Sequence, residues 1–299
     1  MSPAPKIQVA LDRGWYVITR DYMGINGAFP AGRLDPRAAT GLAADARWAQ
    51  YGYSICSFAA GFADEMAPSY APDADARLVG SALGGTVPTG TNLFLQDAGQ
   101  LSGGLLFSAF LGLSKVYANF SALLDAKAGA GDNKPTFVYI GNNDVEVNNQ
   151  RELGRDVFDY LASGRAILYN ETFQTVASGA LQQGVHGVHG VPDTPLYVFK
   201  GARDEVSAVA DTEQLVDRYC GLGVAVEYER NTMAGHADEE LLGLPAAYDW
   251  IAARFAGPGR LRAAGRVAVL HVRGRACFVL RAACGYGYGG QAGYPLYIV

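Results

Sequence analysis

The stretch WAQYGYSICSFAAG, residues 48–61, decides the fold class of this chain. Its first residues are apolar, which predicts a short buried strand, and the small residues after Cys56 favour a helix. Ser54 lies on the turn between the two, where its hydroxyl would be exposed as a nucleophile. The usual pattern is Gly-x-Ser-x-Gly, and here Cys56 occupies the second glycine position. Short Gly-x-Ser strings are common in loops, so the motif needs support from other residues.

An acidic residue and a histidine follow in the order that such a site requires. Residues 195–200, PLYVFK, indicate a buried parallel strand, and Asp204 lies just beyond its carboxyl end, where active-site loops of parallel sheets are found. Residues 224–229, VAVEYE, alternate like another strand, and His236 lies in the predicted loop after it. The order Ser54, Asp204, His236 is that of a triad in which the carboxylate orients the imidazole and the imidazole takes the serine proton.

Two of these residues have alternatives without catalysis. Asp204 could cap the helix that is predicted to start near Ala208, since aspartate is favoured at such positions, although Asp211 is the better candidate for that cap. His236 could be a solvated loop histidine. The sequence alone leaves both alternatives open.

No metal or other cofactor is predicted. His186 and His189 belong to the repeat GVHGVHG, but no cysteine or carboxylate neighbours them, which favours a loop over a metal site. The four cysteines are too few for a disulfide scaffold, and no two of them form a C-x-x-C pair. Structural zinc is therefore disfavoured.

Length and composition bound the class of protein. The 299 residues can bury a large core and suffice for one α/β domain with an inserted cap. Hydrophobic residues make up 49% and charged residues 18%, which argues against disorder over most of the chain, and the formal charge of -5 gives no sign of nucleic-acid binding. No stretch is apolar for long enough to span a bilayer. Residues 1–6 lack the pattern of a signal peptide.

Strands alternate with helices in much of the chain, which predicts an α/β fold with a mostly parallel, doubly wound sheet. This alternation stops in the middle, where helical spacing dominates and predicts a helical cap inserted between sheet strands. The predicted parts are a first part of the core at 1–90, the cap at 91–190, a second part of the core at 191–257, and a basic, glycine-rich, poorly ordered tail without assigned function at 258–299. Further predicted elements are strands at 15–20 and 77–83 and helices at 114–128, 152–161 and 241–255.

Several motifs together resemble the secretory lipase family of fungi and actinobacteria, the lipase A type. They are GYS at 52–54, PSYAP at 68–72, GGT at 84–86, DEV at 204–206 and VDRYC at 216–220. The likeness covers roughly residues 9–257 with gaps. It implies an α/β-hydrolase fold with a helical cap and the hydrolysis of triacylglycerol or related esters outside the cell.

The resemblance also implies roles for single residues. Ser54 is expected to be the nucleophile, Asp204 the orienting acid and His236 the base. Asp21 is similar to the family's oxyanion-hole residue, and the backbone N–H of Ile55 would be the second donor. The implied partners are an ester or lipid substrate and a lipid–water interface, and the chain is expected to act as a monomer.

The chain also departs from the family pattern. The family has two glycines after the serine, where this chain has Ile55 and Cys56, so side chains occupy the tightest part of the turn. The segment 33–47 looks shorter than the family's helix, and the cysteine that the family pairs with the counterpart of Cys220 is not at a matching position near the carboxyl end. The family's upstream strands and signal peptide are not expected in this chain. Two alternatives therefore remain: a catalytically impaired protein of the same fold, and a serine esterase or acyltransferase of other specificity.

An extracellular location is implied by the resemblance alone. Two N-x-S/T triplets, at Asn119 and Asn170, would be glycosylated on a protein that passes through a secretory pathway. Such triplets also arise by chance.

Overall fold

A computed structural model describes residues 4–19, 42–43, 45–90, 92, 96, 98–100, 102–128, 133–142, 154–176, 185–257, 267–272, 275–282 and 296–298 of the chain. These residues divide into two compact units. The first unit contains the described residues up to Pro88 and from His186 onward, and the second contains those from Thr89 to Val185. The loss of strand–helix alternation in the sequence predicts a cap at 91–190, close to this second unit.

An eight-stranded sheet forms the frame of the first unit, in the order β1-β8-β2-β3-β4-β5-β7-β6. The neighbours from β2 to β5 are parallel, as are β5 and β7, whereas β8 is antiparallel to β1 and β2, and β6 is antiparallel to β7. The strands are β1 Val17–Thr19, β2 Trp48–Tyr53, β3 Leu78–Gly84, β4 Leu196–Gly201, β5 Val226–Asn231, β6 Val267–Val272, β7 Arg275–Ala282 and β8 Leu296–Ile298.

Helices make up most of the remaining described structure. They are α1 Ala4–Leu11, α2 Ile55–Tyr70, α3 Pro72–Asp75, α4 Gly104–Val116, α5 Ala118–Lys127, α6 Asn133–Asn142, α7 Glu171–Val176, α8 Val209–Gly221, α9 His236–Leu242 and α10 Leu244–Phe255, with two 3-10 helices at Val157–Tyr160 and Gly164–Tyr169. No helix among the described residues is long and apolar enough to cross a membrane.

Strand β4 shows why the sheet has a core on both faces. All six of its residues are buried. Leu196 and Val198 pack in a cluster with side chains of α8, and Tyr197 and Phe199 pack in a second cluster with side chains of α10. This alternation follows from the pleat, which points successive side chains to opposite faces.

Residues 241–255, predicted as one helix, contain the end of α9 and the whole of α10. His236, predicted in a loop, is the first residue of α9. The two helices are separated at Gly243, where an added β-carbon would lie 2.4 Å from the ring of Phe199. Pro245 then stands in the first turn of α10, where its missing N–H removes no intrahelical bond. The prediction followed the apolar spacing and missed this break.

Three strands lie within residues 258–299, for which the sequence analysis predicts a poorly ordered tail. β6 and β7 pair from Val267 opposite Leu280 to Val272 opposite Arg275, and β7 also pairs with β5. Their sequences, VAVLHV and RACFVLRA, are rich in β-branched and apolar residues and stand two residues apart, which is the pattern of a hairpin. The structure contains the hairpin that this pattern favours, whereas the prediction of a poorly ordered tail rested on the arginine content.

The second unit has an aromatic core of its own. Phe107, Phe110 and Phe120 are 0% exposed and belong to this core. The rings of Phe110 and Phe120 lie 5.8 Å apart, and each lies 6.0 Å from the ring of Phe173. The described part of the helix predicted at 152–161 contains only the short 3-10 helix at Val157–Tyr160.

Candidate active site

The turn at Ser54 joins β2 directly to α2. Ser54 has φ 57° and ψ −125°, and it is the only non-glycine residue with positive φ among the described residues. Such a conformation costs an L-residue on the order of 1–3 kcal/mol. Its backbone is held on both sides, because its N–H donates to the Gly84 carbonyl at 2.9 Å and its own carbonyl accepts from the Ser57 hydroxyl at 2.7 Å. These two hydrogen bonds, one to the sheet and one from α2, hold Ser54 in its strained backbone conformation.

The residues beside Ser54 have different roles in the turn. A β-carbon on Gly52 would lie 2.4 Å from the carbonyl oxygen of Cys56, so the crossing of strand and helix requires this glycine. Cys56 itself is buried, at 2% exposure, whereas Ile55 is 51% exposed. The departure from the family's two glycines thus leaves the strand–turn–helix connection in place and puts an apolar side chain on the surface next to Ser54.

Ser54, His236 and Asp204 lie in a chain of two hydrogen bonds. Ser54 Oγ is 2.8 Å from His236 Nε2, and His236 Nδ1 is 2.7 Å from Asp204 Oδ2. The Asp204 side chain is 0% exposed and the His236 side chain 13%. The three residues follow β2, β4 and β5, three strands of one parallel set, whose carboxyl ends meet at the same edge of the sheet.

Asp204 uses both carboxylate oxygens. Oδ1 accepts from the N–H groups of Val206 and Ser207, each at 2.9 Å, and Oδ2 accepts from His236 and from Lys200 Nζ at 2.8 Å. The caps proposed from the sequence are absent, since α8 begins after Ala208 without a side-chain cap and Asp211 lies inside its first turn.

The charge of Asp204 is fixed by its neighbours. Burial by itself would raise the pKa of this carboxyl, but the charge and the hydrogen bond of His236, together with those of Lys200, outweigh burial and lower the pKa to about 2. Asp204 is therefore ionised at neutral pH and orients the imidazole, with Nδ1–H donating to the carboxylate and Nε2 accepting from the serine hydroxyl.

The backbone of His236 is held at both ends. Its N–H donates to Glu205 Oε2 at 2.9 Å, and its carbonyl accepts from the Tyr53 hydroxyl at 2.5 Å. The rings of Tyr53 and His236 lie 5.3 Å apart. These contacts fix the first turn of α9 and with it the direction of the imidazole.

Sequence reasoning missed Lys200, Tyr53 and Glu205. Lys200 carried a usable signal, because a lysine in an otherwise apolar buried strand, four residues before Asp204, is unusual without a partner. Tyr53 and Glu205 carried none, since tyrosines in strands and glutamates in loops are common.

The structure describes one of the two expected oxyanion donors, the backbone N–H of Ile55. Ile55 is the first residue of α2, and the N–H groups of a helix's first turn have no intrahelical acceptor and lie at the positive end of the helix dipole. Its N–H directly follows the Ser54 turn. Asp21 lies outside the described residues.

The histidine repeat is tied to α2. His186 Nε2 lies 2.8 Å from the carbonyl oxygen of Phe58, and the ring packs against Phe58 and Phe62. Glu65 accepts from the N–H groups of Gly187 and His189. Within the part of the chain that the structure describes, no group of three or more histidine, cysteine, aspartate or glutamate side chains is arranged to hold a metal.

Both asparagines of the N-x-S/T triplets use the side-chain oxygen locally. Asn119 Oδ1 accepts from the N–H of Phe120, and Asn170 Oδ1 accepts from the N–H of Thr172, each at 2.9 Å. Glycosylation at either position stays a prediction.

Comparison with known proteins identifies relatives of this chain. A family model described as secretory lipase matches residues 5–262. A trichothecene C-3 esterase of Fusarium sporotrichioides is 31% identical over 258 residues, which are 81% of this chain and 57% of that protein. Lipase 1 of Candida albicans is 30% identical, over 83% of this chain and 56% of that protein. The chain thus spans about half the length of the curated relatives that it matches.

A solved structure has the same fold. Candida antarctica lipase A superposes with a TM-score of 0.65 at 21% identity, over 76% of this chain and 53% of that structure. The similarity confirms the predicted α/β-hydrolase fold.

Proposed function

The chain belongs to the secretory lipase family, and we propose that it hydrolyses triacylglycerol or related carboxylic esters with Ser54 as the nucleophile. The observation that carries this proposal is the pair of hydrogen bonds, at 2.8 and 2.7 Å, that links Ser54 through His236 to a buried, ionised Asp204. A serine on a strained turn next to an oriented imidazole is the arrangement that activates a hydroxyl.

In the first half of the reaction, His236 Nε2 removes the proton of Ser54 while Oγ attacks the ester carbonyl. The charge that develops on the carbonyl oxygen is stabilised by the N–H of Ile55, with Asp21 as the second donor of the proposal. The ester C–O bond then breaks, and the imidazolium gives its proton to the departing alcohol. The acyl group remains on Ser54.

In the second half, water attacks the acyl-enzyme. His236 takes a proton from the water, the hydroxide adds to the carbonyl carbon, and the bond to Ser54 Oγ breaks. The imidazolium returns its proton to Ser54, and the fatty acid leaves. Asp204 stays ionised throughout, because its role is to orient and stabilise the imidazolium.

The location and the use of the second unit are also proposals. The family's description as secretory lipases supports an extracellular location and a lipid or ester substrate met at a lipid–water interface. The helices and the aromatic core of residues 89–185 support their assignment as the family's helical cap.

A serine-reactive probe tests the proposal. A fluorophosphonate should label the chain at Ser54, and Ser54→Ala should lose both labelling and hydrolysis of a p-nitrophenyl ester. Ser69→Ala is the matched control, because this exposed residue of the same helix donates a local hydrogen bond to the Met66 carbonyl. Labelling that persists in Ser54→Ala would remove Ser54 from the mechanism, and no labelling of the wild type would support the catalytically impaired alternative.

A serine esterase for other esters is the second candidate. It is favoured by the relative named as a trichothecene C-3 esterase and by the exposed side chain of Ile55 beside Ser54. Rates on triacylglycerols of short and long chains, compared with rates on acetate esters of bulky alcohols, separate the two candidates.

A further inference from the structure

Lys200 is an unusual residue for its place in the fold. It lies in β4, a strand in which all six residues are buried, and its side chain is 0% exposed. Its ammonium group donates to Asp204 Oδ2 at 2.8 Å and to the carbonyl oxygen of Thr86 at 2.9 Å. An ammonium group this far from water is costly unless it is paired, so its presence in this strand calls for a reason.

The contact with Thr86 does not explain why β4 contains a buried lysine. The Thr86 carbonyl also accepts from the Ser207 hydroxyl at 3.0 Å, so it keeps a donor without the lysine. The contact with Asp204 does explain it, because Oδ1 is already used by two backbone N–H groups and Oδ2 is the atom that contacts His236 Nδ1. Lys200 and His236 therefore share a single carboxylate oxygen.

We propose that Lys200 is a positioning residue of the active site, which aims Asp204 Oδ2 at His236 and sets by its charge the pH range in which the site is active. The inference rests on the proposed function. As a donor, Lys200 fixes the rotation of the buried carboxylate. As a cation, it competes with a proton on His236 for the negative charge of Asp204, which favours the neutral imidazole that can act as base.

Burial lowers the pKa of Lys200, and the charge of Asp204 acts in the opposite direction. Other ionisable groups face the pair from neighbouring elements. They are Glu205 in the same loop, Asp211 in the first turn of α8, Glu239 on α9 and Tyr53 on β2. Each of these is an acid, so among the described residues the positive charge next to Asp204 comes from Lys200 and from His236 when it is protonated, and the variants described below leave all four unchanged.

Two variants separate the donor from the charge. Lys200→Met removes both, whereas Lys200→Gln removes the charge and keeps a donor. In both, the acid limb of kcat/KM for a p-nitrophenyl ester should move up by about one pH unit or more, because Asp204 then holds the imidazolium without competition. At the alkaline plateau, kcat of Lys200→Met should fall about tenfold with little change in KM, and Lys200→Gln should recover part of that loss.

A matched control is the buried Lys6, which pairs with Glu240 in the same unit, with side chains 1% and 2% exposed. Lys6→Met should lower the thermal stability and leave the acid limb where it is. A purely structural role for Lys200 would give the same result in its variants, with lower stability and an unmoved limb. That result would overturn the inference. If Lys200→Met does not fold, Lys200→Gln decides alone, because the shift depends on the charge.

A measurement without turnover keeps this test apart from that of the proposed function. The ring of His236 can be titrated by NMR in the wild type and in both Lys200 variants, and its midpoint should move up when the lysine is lost. An unmoved midpoint contradicts the role of Lys200, whether or not esters are hydrolysed. Failure of the proposed function has a different signature: the wild type itself neither turns over esters nor reacts at Ser54.

Discussion

Gly52 passes so close to Cys56 that a β-carbon on Gly52 would lie 2.4 Å from the Cys56 carbonyl oxygen. Since β-carbons do not approach backbone oxygens this closely, β2 and α2 would have to move apart to accept any side chain at this position. The proximity explains why the first glycine of the serine motif is present, although Cys56 replaces the second.

Gly52→Ala should therefore lower ester hydrolysis by about a hundredfold, because small displacements of a nucleophile have effects of this size. It should also destabilise the fold, by roughly 1–3 kcal/mol in thermal or denaturant unfolding. Gly112→Ala is the control, since this glycine lies inside α4 with no atom near the added carbon. That variant should be stabilised by about 0.5–1 kcal/mol. Wild-type activity in Gly52→Ala would contradict the required close approach.

Tyr53→Phe removes the hydroxyl that donates to the His236 carbonyl at 2.5 Å. Loss of such a bond from a buried site costs about 1 kcal/mol, and kcat should fall several-fold as the first turn of α9 loosens. The control is Tyr51→Phe on the same strand, because Tyr51 Oη is buried and has no hydrogen-bond partner among the described residues. Its removal should leave the stability unchanged or raise it. Equal effects at the two tyrosines would count against the role of the Tyr53 hydroxyl.

Asp204→Asn should lower kcat about 10⁴-fold, because the amide no longer holds the imidazole in the required tautomer. It should also destabilise the protein at neutral pH by roughly 3 kcal/mol, since Lys200 loses its buried counter-charge. The pKa of Asp204 is lowered to about 2 in the fold, so its contribution is present above the ordinary aspartate pKa and is lost as the pH falls through about 2.

The difference in unfolding free energy between wild type and Asp204→Asn should consequently shrink in acid, which denaturant titrations at two pH values would measure. Asp217→Asn, an exposed aspartate on α8, is the control and should match the wild type in both assays. A stability difference that does not depend on pH would argue against an ionised Asp204.

The buried carboxyl of Asp64 leads us to expect a contribution to stability whose pH dependence has the opposite sign. This carboxyl is buried on α2 and is hydrogen-bonded to Gln50 and Ser81. Burial, only partly offset by these two bonds, raises its pKa to about 8. Its contribution to stability is therefore fully present below the ordinary aspartate pKa and is lost as the pH rises toward 8.

Asp64→Asn should flatten this dependence. Between about pH 4 and 8, the wild type loses up to about 1.4 kcal/mol of unfolding free energy per pH unit from this group, and the variant should lose less. Asp73→Asn, an exposed aspartate in α3, is the control and should keep the wild-type slope. Identical slopes in Asp64→Asn and the wild type would mean that Asp64 is ionised in the fold.

Much of the fold could be predicted from local sequence patterns. The runs that became β2, β3, β4 and β5 were located to within two residues at most of their ends. β4 is a continuous apolar run because it is buried on both faces, and β5 shows the alternation of a strand with one face more buried than the other. The hairpin of β6 and β7 was missed because the arginines around it suggested a solvated tail. The break between α9 and α10 was missed because the apolar spacing of residues 241–255 was given more weight than Pro245, which is tolerated in the first turn of a helix and not in its interior.

The sequence by itself determined the residue types and the local shapes of this site: a serine on a strand-to-helix turn, an aspartate after a buried strand and a histidine after the next strand. Spacing along the chain carries that information, because turns and strands depend on near neighbours. Only the tertiary structure decided that Ser54 and His236, 182 positions apart, share a hydrogen bond, and that Lys200 and His236 meet at one oxygen of Asp204. Such contacts depend on how parallel strands are placed side by side, and the packing of the whole core fixes that placement.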